Sequence, residues 1–105
     1  MYEREPVQVA EAEAEVGVVT HYWSELGVAG VHLTAPVDAG DHIHILGHTS
    51  DFEQNVGSME IEHHKVAHAD PGEDVGIRVV DHAREHDRVY RPAPASEAGA
   101  GQHAL

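Results

Sequence analysis

Apolar and polar residues alternate along several short stretches of this chain, and that period of two constrains the fold more than any other feature. In residues 41–46, Ile43 and Ile45 alternate with His42 and His44. Because successive side chains of a β-strand point to opposite faces, the pattern predicts a strand with both isoleucines in the core and both histidines in water. Helical periodicity is almost absent from the chain.

Further strands are predicted over residues 16–22, 28–33, 52–62, 65–68, 74–79 and 89–90, separated by turns rich in glycine, proline and aspartate. Short strands joined in this way are typical of an all-β sandwich or barrel. Closure would pair the edge strands of so small a sheet. The sequence therefore predicts a small closed Greek-key β-barrel of six to seven strands with flexible termini.

Composition divides the chain into three parts. Residues 1–15 end in an alternating Ala-Glu run and are predicted to be an acidic N-terminal tail, and residues 16–90 form the barrel domain. Residues 91–105 are rich in proline, alanine and glycine and are predicted to be a disordered C-terminal tail.

The charge of the chain is strongly negative. Aspartate and glutamate number 19 against 6 lysines and arginines, which gives a formal net charge of −13 with histidine neutral. Molar salt shortens the Debye length to about 3 Å and removes most of the resulting self-repulsion. An acid-rich, lysine-poor composition of this kind indicates a halophilic protein, with an ordinary acidic protein as the alternative.

Several classes of protein are excluded by what the sequence lacks. Without cysteine there is no disulfide scaffold and no thiolate metal site. The first residues do not resemble a signal peptide, and no apolar run approaches the ~20 residues that span a bilayer, so a cytoplasmic protein without membrane contact is predicted. The single lysine, Lys65, follows a histidine instead of a glycine-rich loop, so no nucleoside triphosphate site and no cofactor are predicted.

The 11 histidines suggest a metal site as one hypothesis. His42 and His44 are two residues apart on a strand, a spacing that places both on one face and can chelate a divalent ion. A solvated histidine surface is the favoured alternative, because no complete ligand set is visible.

Catalytic chemistry is not predicted. His48, Ser50 and Asp51 are residue types used in nucleophilic catalysis, but near neighbours in one turn rarely converge on one reacting atom. A hydrogen-bonded turn is the favoured interpretation, and the chain is predicted not to be an enzyme.

Five segments resemble a known family. Residues 17–20, 27–31 and 39–47 (GVVT, GVAGV and AGDHIHILG) are similar to the opening of the β-barrel second domain of the elongation factor Tu family of translation GTPases. Residues 71–77 (PGEDVGI) resemble its A-G-x-x-V-G-hydrophobic motif, and residues 84–89 (REHDRV) resemble its closing strand, with His86 where the family has glycine. Small stand-alone translation elongation factor-like proteins are more similar still, and similar barrels occur at the end of collagenase-like peptidases.

The resemblance implies a non-enzymatic binding module that contacts tRNA, the ribosome or a translation factor. The family surface uses basic and aromatic side chains, so the candidate binding residues are Tyr22, Trp23, His48, Phe52, Arg78, Arg84 and Arg88. An alternative is that Phe52 and one of Tyr22 or Trp23 cover the core. Alternative functions are a protein–protein interaction module without a nucleic-acid role and a histidine-based metal-binding domain.

Overall fold

The computed structural model describes residues 13–92, and these contain β-strands and turns but no helix. The all-β class predicted from the sequence is confirmed. Within the described residues no helix is available to cross a membrane. The predicted tails lie almost entirely outside this range, although the first strand already begins at Glu13 and the last continues to Pro92.

Residues 13–92 contain ten strands instead of the six or seven predicted. They are β1 (Glu13–Trp23), β2 (Val28–Leu33), β3 (Val37–Asp38), β4 (His42–Leu46), β5 (Asp51–Asn55), β6 (Met59–Ile61), β7 (His64–Lys65), β8 (His68–Ala69), β9 (Asp74–Arg78) and β10 (Arg88–Pro92).

Eight of these strands form one sheet in the order β5-β4-β10-β1-β2-β9-β6-β7, and β3 pairs with β8 in a second sheet. All the pairings are antiparallel. The stretch 52–62, predicted as one strand, is divided because its two halves pair with different partners. Residues 51–55 pair with β4, whereas residues 59–61 pair with β9 and β7.

The core is aliphatic, as the few aromatic residues require. Ile43 and Ile45 of β4 are buried, as are Val75 and Ile77 of β9, so the predicted inward faces of these strands are confirmed. The outward prediction is only partly right, because the side chain of His44 is 13% exposed while that of His42 is 50% exposed. Glu13 and Asp51 flank His44 and shield its ring from water.

Two bulges in β1 set the directions of its side chains. The pairing with β10 shifts between Glu15 and Gly17, and the pairing with β2 shifts between Val19 and His21. A bulge adds one residue to one strand of a pair and so reverses the alternation beyond it. Consequently Val19 and Tyr22 both point inward, although they are three residues apart.

Candidate functional site

A groove of about 430 Å³ crosses the outer face of the large sheet. It runs over β1, β2, β9 and β6, on the face opposite the core. An apolar wall, a floor of main chain and an acidic wall enclose it. We call it the Trp23 groove, and its principal residues are Trp23, Leu26, Val28, Gly30, Gly76, Glu60 and Glu62.

The second bulge of β1 places Trp23 on the outer face. Without it, strict alternation from the buried Val19 would direct Trp23 into the core and Tyr22 into water. With it, Tyr22 packs against the core and the indole of Trp23 lies outside, 44% exposed. Leu26, in the turn between β1 and β2, is 60% exposed and extends the apolar wall.

Two glycines opposite each other form the floor. Gly30 of β2 pairs with Gly76 of β9, which in turn pairs with Glu60 of β6. No side chain therefore fills the sheet surface between Trp23 and Glu60. A Cβ built on Gly30 would lie 3.2 Å from Cζ3 of Trp23, so the indole rests directly on the main chain of β2.

The acidic wall comes from β6 and the turn that follows it. Glu60 and Glu62 are exposed, and neither carboxylate forms a hydrogen bond or an ion pair with the rest of residues 13–92. Glu62 and His63 both have positive φ, 51° and 69°, as a tight two-residue hairpin turn requires. Asp74, at the end of the groove, is paired with His32 at 2.8 Å.

Among these residues only Trp23 was predicted from the sequence as a binding residue. Gly30, Gly76, Glu60 and Glu62 were not predicted. A signal was present, because glycine inside a predicted strand often marks a place where something approaches the main chain closely. The pairing of the two glycines depends on strand order, which the sequence alone did not provide.

Of the other predicted binding residues, only Tyr22 and Arg84 come together, at a second, open pocket that His82 also lines. Tyr22 and Phe52 pack against the core, and Tyr22 also contacts the ring of His82 at a centroid distance of 4.5 Å. His48 is exposed in the turn between β4 and β5.

The three predicted arginines occupy separate places. Arg88 of β10 pairs with Glu15 at 2.8 Å. Arg78 of β9 donates from Nη1 to the carbonyl of Leu26, and Arg84 lies in the exposed turn before β10, where its main-chain N–H donates to Asp87.

His42 and His44 face oxygen atoms on both ring nitrogens. Nε2 of His42 lies 2.7 Å from Glu53 and its Nδ1 lies 2.8 Å from the amide oxygen of Asn55. The hydrogen bond to Glu53, helped by that to Asn55, raises the pKa of His42 above its ordinary value. No group of three or more potential metal-binding residues occurs in residues 13–92. The predicted chelating pair, His42 and His44, therefore has no third protein ligand there.

His44 lies in a more enclosed environment. Its Nδ1 lies 2.7 Å from Glu13 and its Nε2 lies 2.7 Å from Asp51. Burial opposes protonation of the ring, but the hydrogen bonds and negative charges of both carboxylates outweigh burial and raise the pKa of His44. Such pairs make histidine a principal counter-ion in this lysine-poor chain.

Ser50, considered as a nucleophile, is buried, and its Oγ has no hydrogen-bond partner among the described residues. His48 does not reach it. The turn that holds these residues instead supports the start of β5, through the hydrogen bond from the N–H of Gly47 to the carbonyl of Ser50.

Comparison with known proteins relates the chain to peptidases. An uncharacterized protease of Methanocaldococcus jannaschii is 39% identical over 77 residues, which is 72% of this chain and 19% of the protease. The chain thus spans about a fifth of that relative. No model of a protein family matches the chain.

Solved structures with a similar fold include a peptidase domain and a GDP-binding protein. The C-terminal domain of a proposed U32 peptidase of Geobacillus thermoleovorans matches with a TM-score of 0.71 and 21% identity over 77% of this chain and 93% of that one. Its selenomethionine variant gives 0.68 and 22% identity over 71% and 95%. GDP-bound aIF5B of Aeropyrum pernix gives 0.57 and 16% identity over 91% of this chain but only 18% of its own.

These matches overturn the predicted kinship. The identification as a translation elongation factor-like protein, and the RNA-binding translation module inferred from it, are wrong. The relative in sequence is named a protease, and the two solved domains with the higher TM-scores come from a proposed U32 peptidase, whereas the match to aIF5B covers only 18% of that protein. Neither alternative function, the general interaction module or the histidine-based metal-binding domain, is specifically supported by these relatives.

The reason for the error lies in what the resembling motifs do. Gly40 and Gly72 have φ of 96° and 91°, a conformation that only glycine adopts easily. Gly47 has no room for a Cβ, which would lie 1.8 Å from Oδ1 of the buried Asp87. The motifs therefore encode turns and close approaches of this fold, which proteins of different function share.

Proposed function

We propose that this chain is a non-catalytic accessory domain of a U32-type peptidase system and acts beside a peptidase catalytic domain. The observation that carries the proposal is the 39% identity to part of a protease, supported by the fold likeness to U32 peptidase C-terminal domains. In this role the domain holds polypeptide for a catalytic site that lies elsewhere.

The absence of catalytic activity in the domain itself is part of the proposal. Ser50 is buried with its Oγ directed away from solvent, and the rings of His42 and His44 are occupied by hydrogen-bond acceptors. A histidine whose two ring nitrogens are both engaged by acceptors has neither nitrogen free to take a proton from a substrate, and an inaccessible hydroxyl cannot attack a peptide bond. Both observations favour an accessory role over a catalytic one.

We further propose that the large sheet is wrapped into a closed barrel, with β5 and β9 brought together by a side chain. Nε2 of Gln54 donates to the carbonyl of Arg78 at 2.8 Å, and the N–H of Val80 donates to Oε1 of Gln54 at 2.8 Å. The amide group of Gln54 thus occupies the place of a main-chain peptide between the two strands. The N–H of Arg78 also donates to the carbonyl of Ser58, at 3.2 Å.

Complementation of a truncated protease tests the proposed function. The M. jannaschii protease is prepared without the segment that aligns with this chain, and its peptidase activity is measured before and after the chain is added. Restored activity, together with no cleavage by the chain alone, is the expected result. Hydrolysis by the isolated chain, or a truncated protease that stays unaffected at every concentration, would overturn the proposal.

The matched control for complementation removes the groove without removing the domain. A Trp23→Ser variant keeps the buried core, because Trp23 lies outside it. If this variant also restores peptidase activity, docking of the domain does not depend on the groove.

A further inference from the structure

The Trp23 groove combines an exposed aromatic wall with an unpaired acidic wall. Trp23 and Leu26 are two of the three large hydrophobic side chains that are exposed among the described residues. One face of the indole rests on Gly30, while 44% of the residue remains accessible. The ring of His21 also lies against the indole, at a centroid distance of 4.4 Å and an interplanar angle of 55°. The part of the indole that remains accessible can stack on a planar or cationic group.

The charge facing the groove is negative. Glu60 and Glu62 have no cationic partner among residues 13–92, and Asp74 is paired with His32. The neighbouring cations are Lys65, opposite Glu60 in the β6–β7 pairing, and Arg78, whose Nη1 donates to the carbonyl of Leu26. A phosphate group would be repelled here, whereas a cation would be attracted by both carboxylates.

We propose that the Trp23 groove binds an arginine side chain of a polypeptide substrate. The proposal rests on the proposed function, which provides the polypeptide. The methylene groups of the arginine lie along the glycine floor against Leu26 and Val28. The guanidinium stacks on the indole of Trp23 and donates to the carboxylates of Glu60 and Glu62.

Arginine fits this arrangement better than lysine. A guanidinium is planar and weakly hydrated, so it stacks on an aromatic face and donates in parallel to a carboxylate. The indole is the best aromatic partner for a cation among protein side chains. The ammonium group of lysine can pair with the carboxylates but has no planar face to stack on the indole. The groove therefore binds arginine more tightly than lysine.

The size of the groove favours a peptide side chain over a folded partner domain. Its volume of about 430 Å³ lies in the range of small-ligand sites. A stable interface between folded proteins buries about 800 Å² on each partner, which requires a broad surface and not a single narrow groove. The substrate segment is therefore the occupant to which the proposal commits.

Fluorescence of the single tryptophan provides a direct test. The full chain is titrated with an acetylated and amidated Gly-Gly-Arg-Gly-Gly peptide, with its lysine counterpart, and with its citrulline counterpart, which keeps the shape and loses the charge. Saturable change with the arginine peptide, and at least about tenfold weaker binding of the citrulline peptide, is expected.

Charge-neutral variants locate the site. Replacing both carboxylates, as Glu60→Gln with Glu62→Gln, is expected to weaken arginine-peptide binding at least about tenfold. Asp81→Asn removes one negative charge outside the groove, and it keeps an oxygen that accepts the N–H of His82. This control variant is expected to bind as the unchanged chain does. Equal binding of arginine and citrulline peptides, or unchanged binding by the double variant, would overturn the proposal.

Two outcomes separate this inference from the proposed function. If the chain restores the truncated protease but does not bind the arginine peptide, the groove proposal fails and the accessory role stands. If the peptide binds through Glu60 and Glu62 but the protease does not respond, the accessory role fails and the ligand chemistry of the groove stands.

Discussion

The indole of Trp23 lies directly over the main chain of Gly30, so that a Cβ on Gly30 would be 3.2 Å from Cζ3 and 3.3 Å from Cη2. This relationship links the bulge in β1 to the groove. The bulge directs the tryptophan outward, and the glycine provides the flat surface on which it rests. Each feature alone would leave the outer face of the sheet without a groove.

Replacing Gly30 with alanine is expected to displace the indole. The added methyl is closer than ordinary van der Waals contact, so the ring shifts by a few tenths of an ångström into solvent. The emission maximum of Trp23 is expected to move to longer wavelength, while the free energy of unfolding changes by less than about 1 kcal/mol.

The matched control is Gly76→Ala on the neighbouring strand. There a Cβ would lie 3.4 Å from Cγ1 of Val28, at the edge of ordinary contact, with no atom of the indole within 4 Å. An emission shift of equal size in both variants would contradict the packing of Trp23 on Gly30.

Replacing Gln54 with leucine is expected to destabilise the fold by about 2 kcal/mol. The change removes three hydrogen bonds, the weakest of them at 3.3 Å to the carbonyl of Asn55, and leaves the carbonyl of Arg78 and the N–H of Val80 without their partner. Urea unfolding followed by tryptophan fluorescence measures the loss. Gln54→Glu keeps an acceptor for Val80 but cannot donate to Arg78, so an intermediate stability is expected. A leucine variant within about 0.5 kcal/mol of the original chain would argue against the bridging role.

His44 is expected to make stability depend on pH. Because its folded-state pKa is raised above the ordinary value of 6.5, its contribution is fully present below that value and is lost as pH rises through the raised pKa. His44→Asn is expected to cost about 1 kcal/mol at pH 6 and less at pH 9, measured by urea unfolding.

His48→Asn, in the exposed turn after β4, is the control for this measurement. It is expected to have little effect at either pH. A cost of His44→Asn that is the same at pH 6 and pH 9 would show that packing, and not charge, accounts for the contribution of His44.

Replacing His86 with glycine is expected to stabilise the domain by about 0.5 kcal/mol. His86 has a φ of 78°, and relief of left-handed strain, about 1–2 kcal/mol, exceeds the entropy cost of glycine, about 0.5–1 kcal/mol. Its N–H still donates to the carbonyl of Val19. Glu85→Gly, next in the same turn but without positive φ, is expected to destabilise, and thermal unfolding distinguishes the two. Destabilisation by both would indicate that the His86 side chain contributes packing that outweighs the strain.

The strands were largely predictable because their signal is local. Alternation located the inward faces of β2, β4 and β9, which burial of Leu33, Ile43 and Ile77 confirms. The division of residues 52–62 was not predictable, since it reflects two pairing partners at distant positions in the sheet. The bulge before Trp23 was also not predictable, because an extra residue in β1 can be recognised only when the register of its pairing with β2 is known.

By itself, the sequence determined an all-β domain with an aliphatic core and an acidic surface rich in histidine, because side-chain period and composition act over a few residues. Tertiary structure alone decided that Gly30 would pair with Gly76 and that Trp23 and Glu60 would face each other across them. The groove residues come from four segments that are distant in sequence, and strand order and register bring them together. The pattern of residues within one segment does not determine which strands will be its neighbours.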